Sequence, residues 1–367
     1  MQKLTLFVFA CLLFGEAAYA KPTKKQLDKM AKDQAWTFEF NDPESLPKYP
    51  TGLLRPPGYK RKKPDRSFLK ADVKIPKVFG PKVWAEKIGV QFTGIFDQKS
   101  CGSCVYNSYM KNLADSLILR GVAVPQLSRQ FAMDCAAEWS CSGSFFERVA
   151  AGVVRVGGVP AESDYPYMAR DQSCKAVNAT KIAKPVGYKI IDNSWKSVAT
   201  ALHQGFPVSV TVAADNTWMS YRSGIYSANT SASTNHEVLL EKGDCESSID
   251  ADGNCLFDAK GNPVNGDGYF VVDNSWNTNW GEQGTMRSRW LKNALGEESA
   301  IIDTGIEFKE PLPPSPTPTP TPTPVPPAPK PSGEPVWFWI IMGVAGTLVI
   351  ILAIAGVKHL FFEKKLS

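Results

Sequence analysis

Gln98-Lys99-Ser100-Cys101-Gly102-Ser103-Cys104 leads directly into a run where Val105, Tyr109, Leu113 and Leu117 recur at every fourth position. That spacing is the apolar stripe of an amphipathic helix. Ser103 stands at the N-cap position and Gly121 at the C-cap. Cys104 is therefore expected in the first helical turn, where unpaired N–H groups and the positive end of the macrodipole favour an anion. The thiolate, not the thiol, is the attacking species. A buried structural cysteine is the plain alternative, and its partners decide between the two.

A cysteine nucleophile needs a base and a group that orients the base. The chain has three histidines. His359 lies beyond an apolar span, and His203 ends a short helical-looking stretch, Ser197–His203, without polar company. His236, in Thr234-Asn235-His236-Glu237-Val238-Leu239-Leu240, stands at the mouth of a strand-like run. A second such run, Gly268–Val272, is followed by Asp273-Asn274-Ser275-Trp276-Asn277-Thr278-Asn279-Trp280-Gly281. The amide of Asn274 can accept from one ring nitrogen of His236 and leave the other for sulfur. Trp276 can shield that bond from water, which strengthens it.

These motifs resemble the papain family of cysteine peptidases, whose signature is Cys-Gly-Ser/Ala-Cys-Trp/Tyr with His and Asn well downstream. Here Val105 replaces the final aromatic, His236 follows Cys104 by 132 residues and Asn274 by 170. Leu127-Ser128-Arg129-Gln130, Asp134-Cys135, Cys141-Ser142-Gly143-Ser144, Asp164-Tyr165-Pro166-Tyr167, Ser223-Gly224-Ile225-Tyr226 and Trp280-Gly281-Glu282-Gln283-Gly284 continue the pattern in order. The resemblance implies an α+β, papain-like two-lobed fold. A helical lobe would carry Cys104, a β-barrel-like lobe His236 and Asn274, and the cleft would run between them. It also implies Gln98 as oxyanion donor, alongside the backbone N–H of Cys104. Losing such a donor typically raises the barrier by about 3 kcal/mol.

Of the eight cysteines, Cys11 belongs to an export signal, and setting aside Cys104 leaves an even number. The resemblance implies Cys101–Cys141 and Cys135–Cys174, with Cys245–Cys255 closing a loop. A further bridge common in the family has no counterpart here, because the regions around 226–235 and Ser299 lack cysteine. By the same resemblance Gly143 and Ser144 offer backbone groups to an extended substrate. Phe145, Thr211, Glu237 and Thr304 align with walls of the pocket for the second residue before the scissile bond. Glu237 replaces a small apolar residue, so the pocket is expected to favour basic or polar side chains. Gly243–Gly268 is a polar insertion with Cys245, Cys255 and Asp244, Asp250, Asp252, Asp258 and Asp267. It reads as a disulfide-clamped, solvated hairpin. Asp250-Ala251-Asp252-Gly253-Asn254 lacks the full ligand pattern of a calcium loop, so neither metal nor cofactor is expected.

The ends of the chain point to a membrane surface. Residues 1–20 read as a secretory signal, with an apolar run from Leu4 to Phe14 and Ala18-Tyr19-Ala20 before Lys21. Export suits the disulfides. Residues 21–74 stand as a prosegment or permanent extension without the family's helical prosegment signature, although Thr23–Trp36 can form one amphipathic helix. The peptidase unit spans 75–310, about 235 residues, ample for a two-lobed core. Thirteen prolines among residues 311–335 make a semi-rigid stalk, which reaches roughly 75 Å at about 3.1 Å per residue. Val336–Val357 gives 22 uncharged, mostly apolar residues, enough to span a bilayer. Residues 358–367 follow as a cytoplasmic tail, with Lys358, Lys364 and Lys365. The expected partners are a peptide or protein substrate and, through 336–357, a membrane. The formal charge of +5 and the absence of a nucleic-acid motif exclude a nucleic-acid partner. The catalytic unit is expected to be monomeric.

Three other classes compete with a cysteine peptidase. A thiol oxidoreductase would pair Cys101 with Cys104 and would not need His236, Asn274 or Gln98. A thiol-dependent acyltransferase shares the Cys–His chemistry. A catalytically inactive surface-binding protein is suggested by Val105 and Ser144, and the intact catalytic set argues against it.

Overall fold

The computed structural model describes residues 36–38, 49–60, 62–70, 72–137, 141–176, 178–228, 230–290 and 299–309. The signal, the stalk, the apolar span 336–357, the tail and the Thr23–Trp36 helix apart from Trp36 lie outside them. Among the described residues no helix is long and apolar enough to cross a membrane. The chain divides into Met1–Pro311 and Leu312–Ser367, the second unit lying outside the described residues.

The strands are β1 (Trp36–Phe38), β2 (Val78–Phe79), β3 (Gly187–Ile191), β4 (Val208–Val212), β5 (Tyr221–Tyr226), β6 (His236–Asp244), β7 (Tyr269–Asp273), β8 (Thr285–Ser288) and β9 (Ser299–Asp303). The longer helices are α1 (Pro81–Ile88), α2 (Cys104–Leu119), α3 (Phe146–Arg155) and α4 (Trp195–His203). The strands form one sheet in the order β1-β5-β8-β7-β6-β4-β9-β3, with β2 added to β6. β6 and β7 run antiparallel, Leu239 opposite Asp273, which brings the start of β6 near the end of β7.

Two apolar cores give the two lobes. One surrounds the sheet, where Phe79, Trp195, Val238, Leu240 and Phe270 pack. The other surrounds α2, where Val105, Tyr109, Leu113 and Leu117 meet Phe131, Phe146 and Val149. The sequence predicts a polar outer face for α2, and that face is in fact buried. Its polar residues turn to the sheet lobe instead of solvent. Ser108 Oγ donates to Ser209 Oγ at 2.8 Å, and Asn112 Nδ2 donates to Pro207 O at 3.2 Å. The helix is an interlobe axle, held by hydrogen bonds because buried polar groups must find partners.

Ser103 occupies the N-cap position without capping. Its hydroxyl bonds Tyr167 Oη and accepts from Asn107 Nδ2 at 3.0 Å. Gly121, at φ +80°, follows the C-terminal turn. His203 is buried, its ring 6.0 Å from that of Trp84.

The insertion after β6 forms two like turns rather than one hairpin. Asp250 Oδ1 accepts from Asp252 and Asn254 backbone N–H at 2.9 and 2.8 Å. Asp258 Oδ1 accepts from Lys260 and Asn262 at the same two distances. The repeated Asp-Ala-X-Gly-Asn pattern explains the likeness, since Asp side chains bond the backbone ahead of them.

Candidate active site

α2 presents Cys104 at its first residue, and β6 presents His236 at its first residue. His236 Nε2 lies 2.8 Å from Asn274 Oδ1, which also accepts from the Ser275 backbone N–H at 2.8 Å. Two donors on one oxygen fix the amide's orientation and put the imidazole proton on Nε2. Nδ1 is then the basic nitrogen, and it makes no hydrogen bond of its own. The Trp276 ring stacks on His236 with centroids 4.7 Å apart. Cys104 is the free cysteine among the described residues, and Cys101–Cys141, Cys135–Cys174 and Cys245–Cys255 are bridged.

Gln98 is held just before Cys101. Its Oε1 accepts from Ser275 Oγ at 2.7 Å, and its backbone N–H donates to Ser275 O at 2.8 Å. Ser275 thus aims the Gln98 amide while its own N–H sets Asn274. Ser275 lies inside the Asn274-Ser275-Trp276 motif, where nothing local to the sequence marks it as a partner of Gln98.

The cleft is filled by the chain's own N-terminal extension. Gln98 Nε2 donates to Pro50 O at 2.7 Å. Tyr49 stacks on Trp276 at 4.5 Å, and the Gly52 backbone N–H acts on the Cys104 thiol, lowering its pKa against burial. Ser144 N–H donates to Gly52 O at 2.8 Å, and Leu54 N–H donates to Ser144 O at 2.7 Å. Leu53 N–H donates to Asn235 O at 3.1 Å on the other lobe. Leu53 and Ser144 pair in parallel. The segment is a strand added across both lobes. Further along, Tyr59 Oη bonds Glu147 Oε1, and its ring meets Phe145 edge-on.

Two glycines make this close approach possible. A Cβ on Gly52 would lie 1.9 Å from Gly102 O, and one on Gly143, at φ +127°, 2.5 Å from Gly52 O.

Dry surroundings leave both reacting groups neutral. Burial, then the nearby Glu237 carboxylate, pushes the Cys104 thiol up to about 12. Burial pulls the His236 imidazole down to about 4, against the Asn274 hydrogen bond. Charging either group without water is unfavourable.

Thr211 and Glu237 face each other across β4 and β6, next to the Val212–His236 pair. Phe145 leads into α3 beside Gly143 and Ser144. Thr304 does not join them. β9 sets Ser299 opposite Val210 and then runs away from the His236 end. Thr304 therefore lines a different cavity, with Phe206 and Phe308. The register of the last strand, not spacing along the chain, decides where Thr304 falls.

A cysteine on an interlobe helix, with a His–Asn pair on the sheet lobe and a glutamine amide beside it, defines a papain-type thiol hydrolase architecture. Residues 81–303 match the family described as papain family cysteine protease, and the chain belongs to that family. Among curated relatives, digestive cysteine proteinase 1 of Homarus americanus is 32% identical over 57% of this chain and 62% of its own length. Putative cathepsin L 3 of Paramecium tetraurelia is 32% identical over 56% of this chain and 61% of its own. The chain thus spans about three-fifths of the curated relatives it matches. Digestive procathepsin L2 of Tenebrio molitor superposes with a TM-score of 0.60 at 21% identity, covering 76% of this chain and 90% of that one. The stem bromelain precursor gives 0.56 at 20% identity over 82% and 98%. At such identities these likenesses show the fold.

Proposed function

We propose that this chain is a cysteine peptidase made as a latent precursor. The carrying observation is the 2.8 Å bond that fixes the His236 ring on Asn274 and leaves Nδ1 basic. With the extension gone, Nδ1 takes the Cys104 proton and the thiolate attacks the substrate carbonyl carbon. Gln98 Nε2 and the Cys104 N–H hold the oxyanion, the role Gln98 already rehearses on the Pro50 carbonyl. The imidazolium then protonates the leaving amine, and the acyl-enzyme remains. Water, deprotonated by Nδ1, attacks the thioester, and the acid and free thiol are released.

Residues 21–74 act as the prosegment. If substrate residues before the scissile bond lie along Gly143 and Ser144, the extension lies there in reverse, since residues after Gly52 occupy that side. A carbonyl sits at Gln98, yet the chain direction opposes hydrolysis. Glu237 favours a basic side chain in the pocket it shares with Thr211, which paired peptides carrying Arg or Leu at that position would reveal. A signal at 1–20, a stalk at 311–335 and a span at 336–357 would hold the unit outside a membrane, the C-terminal tail being cytoplasmic.

An epoxide inhibitor of cysteine peptidases is the direct test. Covalent labelling of Cys104 after removal of the extension, lost in His236→Ala, supports the reading. An unlabelled Cys104 in the processed protein refutes it.

A further inference from the structure

Below Cys104, the face of α2 that carries Ser108 continues to Lys111 and Asp115, a four-three-four spacing along one side of the helix. There one ammonium meets three carboxyl groups in the interlobe seam. Lys111 Nζ is 2.7 Å from Asp115 Oδ2, 3.4 Å from Glu241 Oε2 and 3.4 Å from Asp273 Oδ2. It also donates to Thr93 O at 2.5 Å. All four side chains are at most 5% exposed. α1 contributes Lys82, 3.8 Å from Asp273 Oδ1, and Glu86, paired at 3.8 Å with Lys242 of β6. Lys82, Glu86 and Glu282 line a solvent pocket that reaches Lys111 and Asp273.

Asp273 immediately precedes Asn274. The helix that presents Cys104 is therefore tied by an ion pair to the residue next to the one that orients His236. The backbone beside that tie is paired as well, Asn274 N–H donating to Gly284 O at 3.1 Å.

We propose that Lys111 is a positioning residue: through Asp273 it sets Asn274, and with it the His236 ring, against the nucleophile's helix, and this strut stands while the cluster retains one proton among its carboxyl groups. Three buried carboxylates around one ammonium would carry a net charge that the seam cannot solvate. The proton falls on Glu241. Burial raises its pKa well above the usual carboxylate range against the pull of Lys111, and Asp115 and Asp273 add to the rise. Burial opposes the charge of Asp273, yet Lys111 and then Lys82 hold it ionised. A carboxyl group that holds its proton more tightly when folded contributes stability at low pH. That contribution is lost as pH rises from its unfolded value toward its folded one.

The proposal rests on the peptidase reading for its effect on turnover but not for its structural arms. In the whole chain, Lys111→Met should displace the imidazole nitrogen resonances of His236 while leaving His203 unmoved. After processing it should lower kcat about tenfold with KM little changed. His236 resonances that superimpose on wild type overturn the strut. Should Lys111→Met fail to fold, Glu241→Gln decides. As pH rises above the ordinary carboxylate range, the wild-type melting temperature should fall relative to the variant's. Superimposable pH profiles overturn the retained proton. A wild type without turnover refutes the peptidase reading, and the resonance and melting arms still judge the strut.

Discussion

At Cys104 the helix and the cleft pull in opposite directions. A helix N-terminus favours an anion by at most about 2 kcal/mol. Closure by residues 49–55 removes the water that would solvate a thiolate, and burial wins, taking the thiol to about 12. Its base is silenced by the same dryness, with the imidazole at about 4. The latent chain should therefore react with iodoacetamide only slowly at neutral pH, its rate climbing toward strongly alkaline pH. After the extension leaves, water and the base return, and the rate profile should shift to lower pH. Identical profiles before and after processing would contradict this account. Gln98 carries a second prediction: Gln98→Ala should lower kcat of the processed enzyme about 100-fold with a small change in KM. The same variant loses the bond to Pro50 O, so its unprocessed form should hold the extension less firmly, seen as faster alkylation of Cys104.

The extension works as a strand, and its hold is mainly backbone to backbone. Gly52 is the weak point, because any side chain there meets the Gly102 carbonyl at 1.9 Å. Gly52→Ala should push the strand off the cleft at a cost of about 1–3 kcal/mol, so unprocessed protein gains roughly tenfold or more in activity on a small peptide. Undetectable activity in that variant would argue against direct blockade. This element also marks what the sequence could and could not tell. Cys104, His236 and Asn274 were legible because each sits in a local pattern that calls for its side chain, and Gln98 through the family resemblance alone. The inhibitory strand was not, because main-chain hydrogen bonds leave little trace in side-chain identity. Thr304 was misplaced for a related reason: strand register sets its place, and β9 pairs Ser299 with Val210 and then runs away from the His236 end. The outer face of α2 looked solvated because Ser108, Lys111, Asn112 and Asp115 are polar. Ser108, Asn112 and Lys111 find partners on the second lobe, and Lys111 also pairs with Asp115 along the helix.

At the scale of the whole molecule, the junction between extension and catalytic unit is stitched to the insertion. Cys255 N–H donates to Ile75 O at 2.7 Å, Lys77 N–H to Gly253 O at 2.9 Å and Cys245 N–H to Lys77 O at 2.9 Å. Ile75 itself belongs to the sheet-lobe core. Processing should therefore cut ahead of Ile75 and leave it in place, at exposed positions such as Lys63, Lys70 or Lys74. The opposite end follows the same logic. The described cores close within residues 75–302, and Phe308 still packs near Trp84, with ring centroids 6.0 Å apart. The family match itself ends at residue 303. A chain ended after Pro311 should thus fold, process and cleave a soluble peptide with kcat/KM within about twofold of the full chain, since Gln98, Cys104, His236 and Asn274 are all retained. What it should lose is membrane retention: the full chain should stay with membranes through an alkaline carbonate wash, and the shortened one should appear in the soluble fraction. Full-length protein that washes off would remove the tether and leave the peptidase reading intact. A shortened protein that folds but fails to cleave would instead assign the C-terminal segment a part in catalysis.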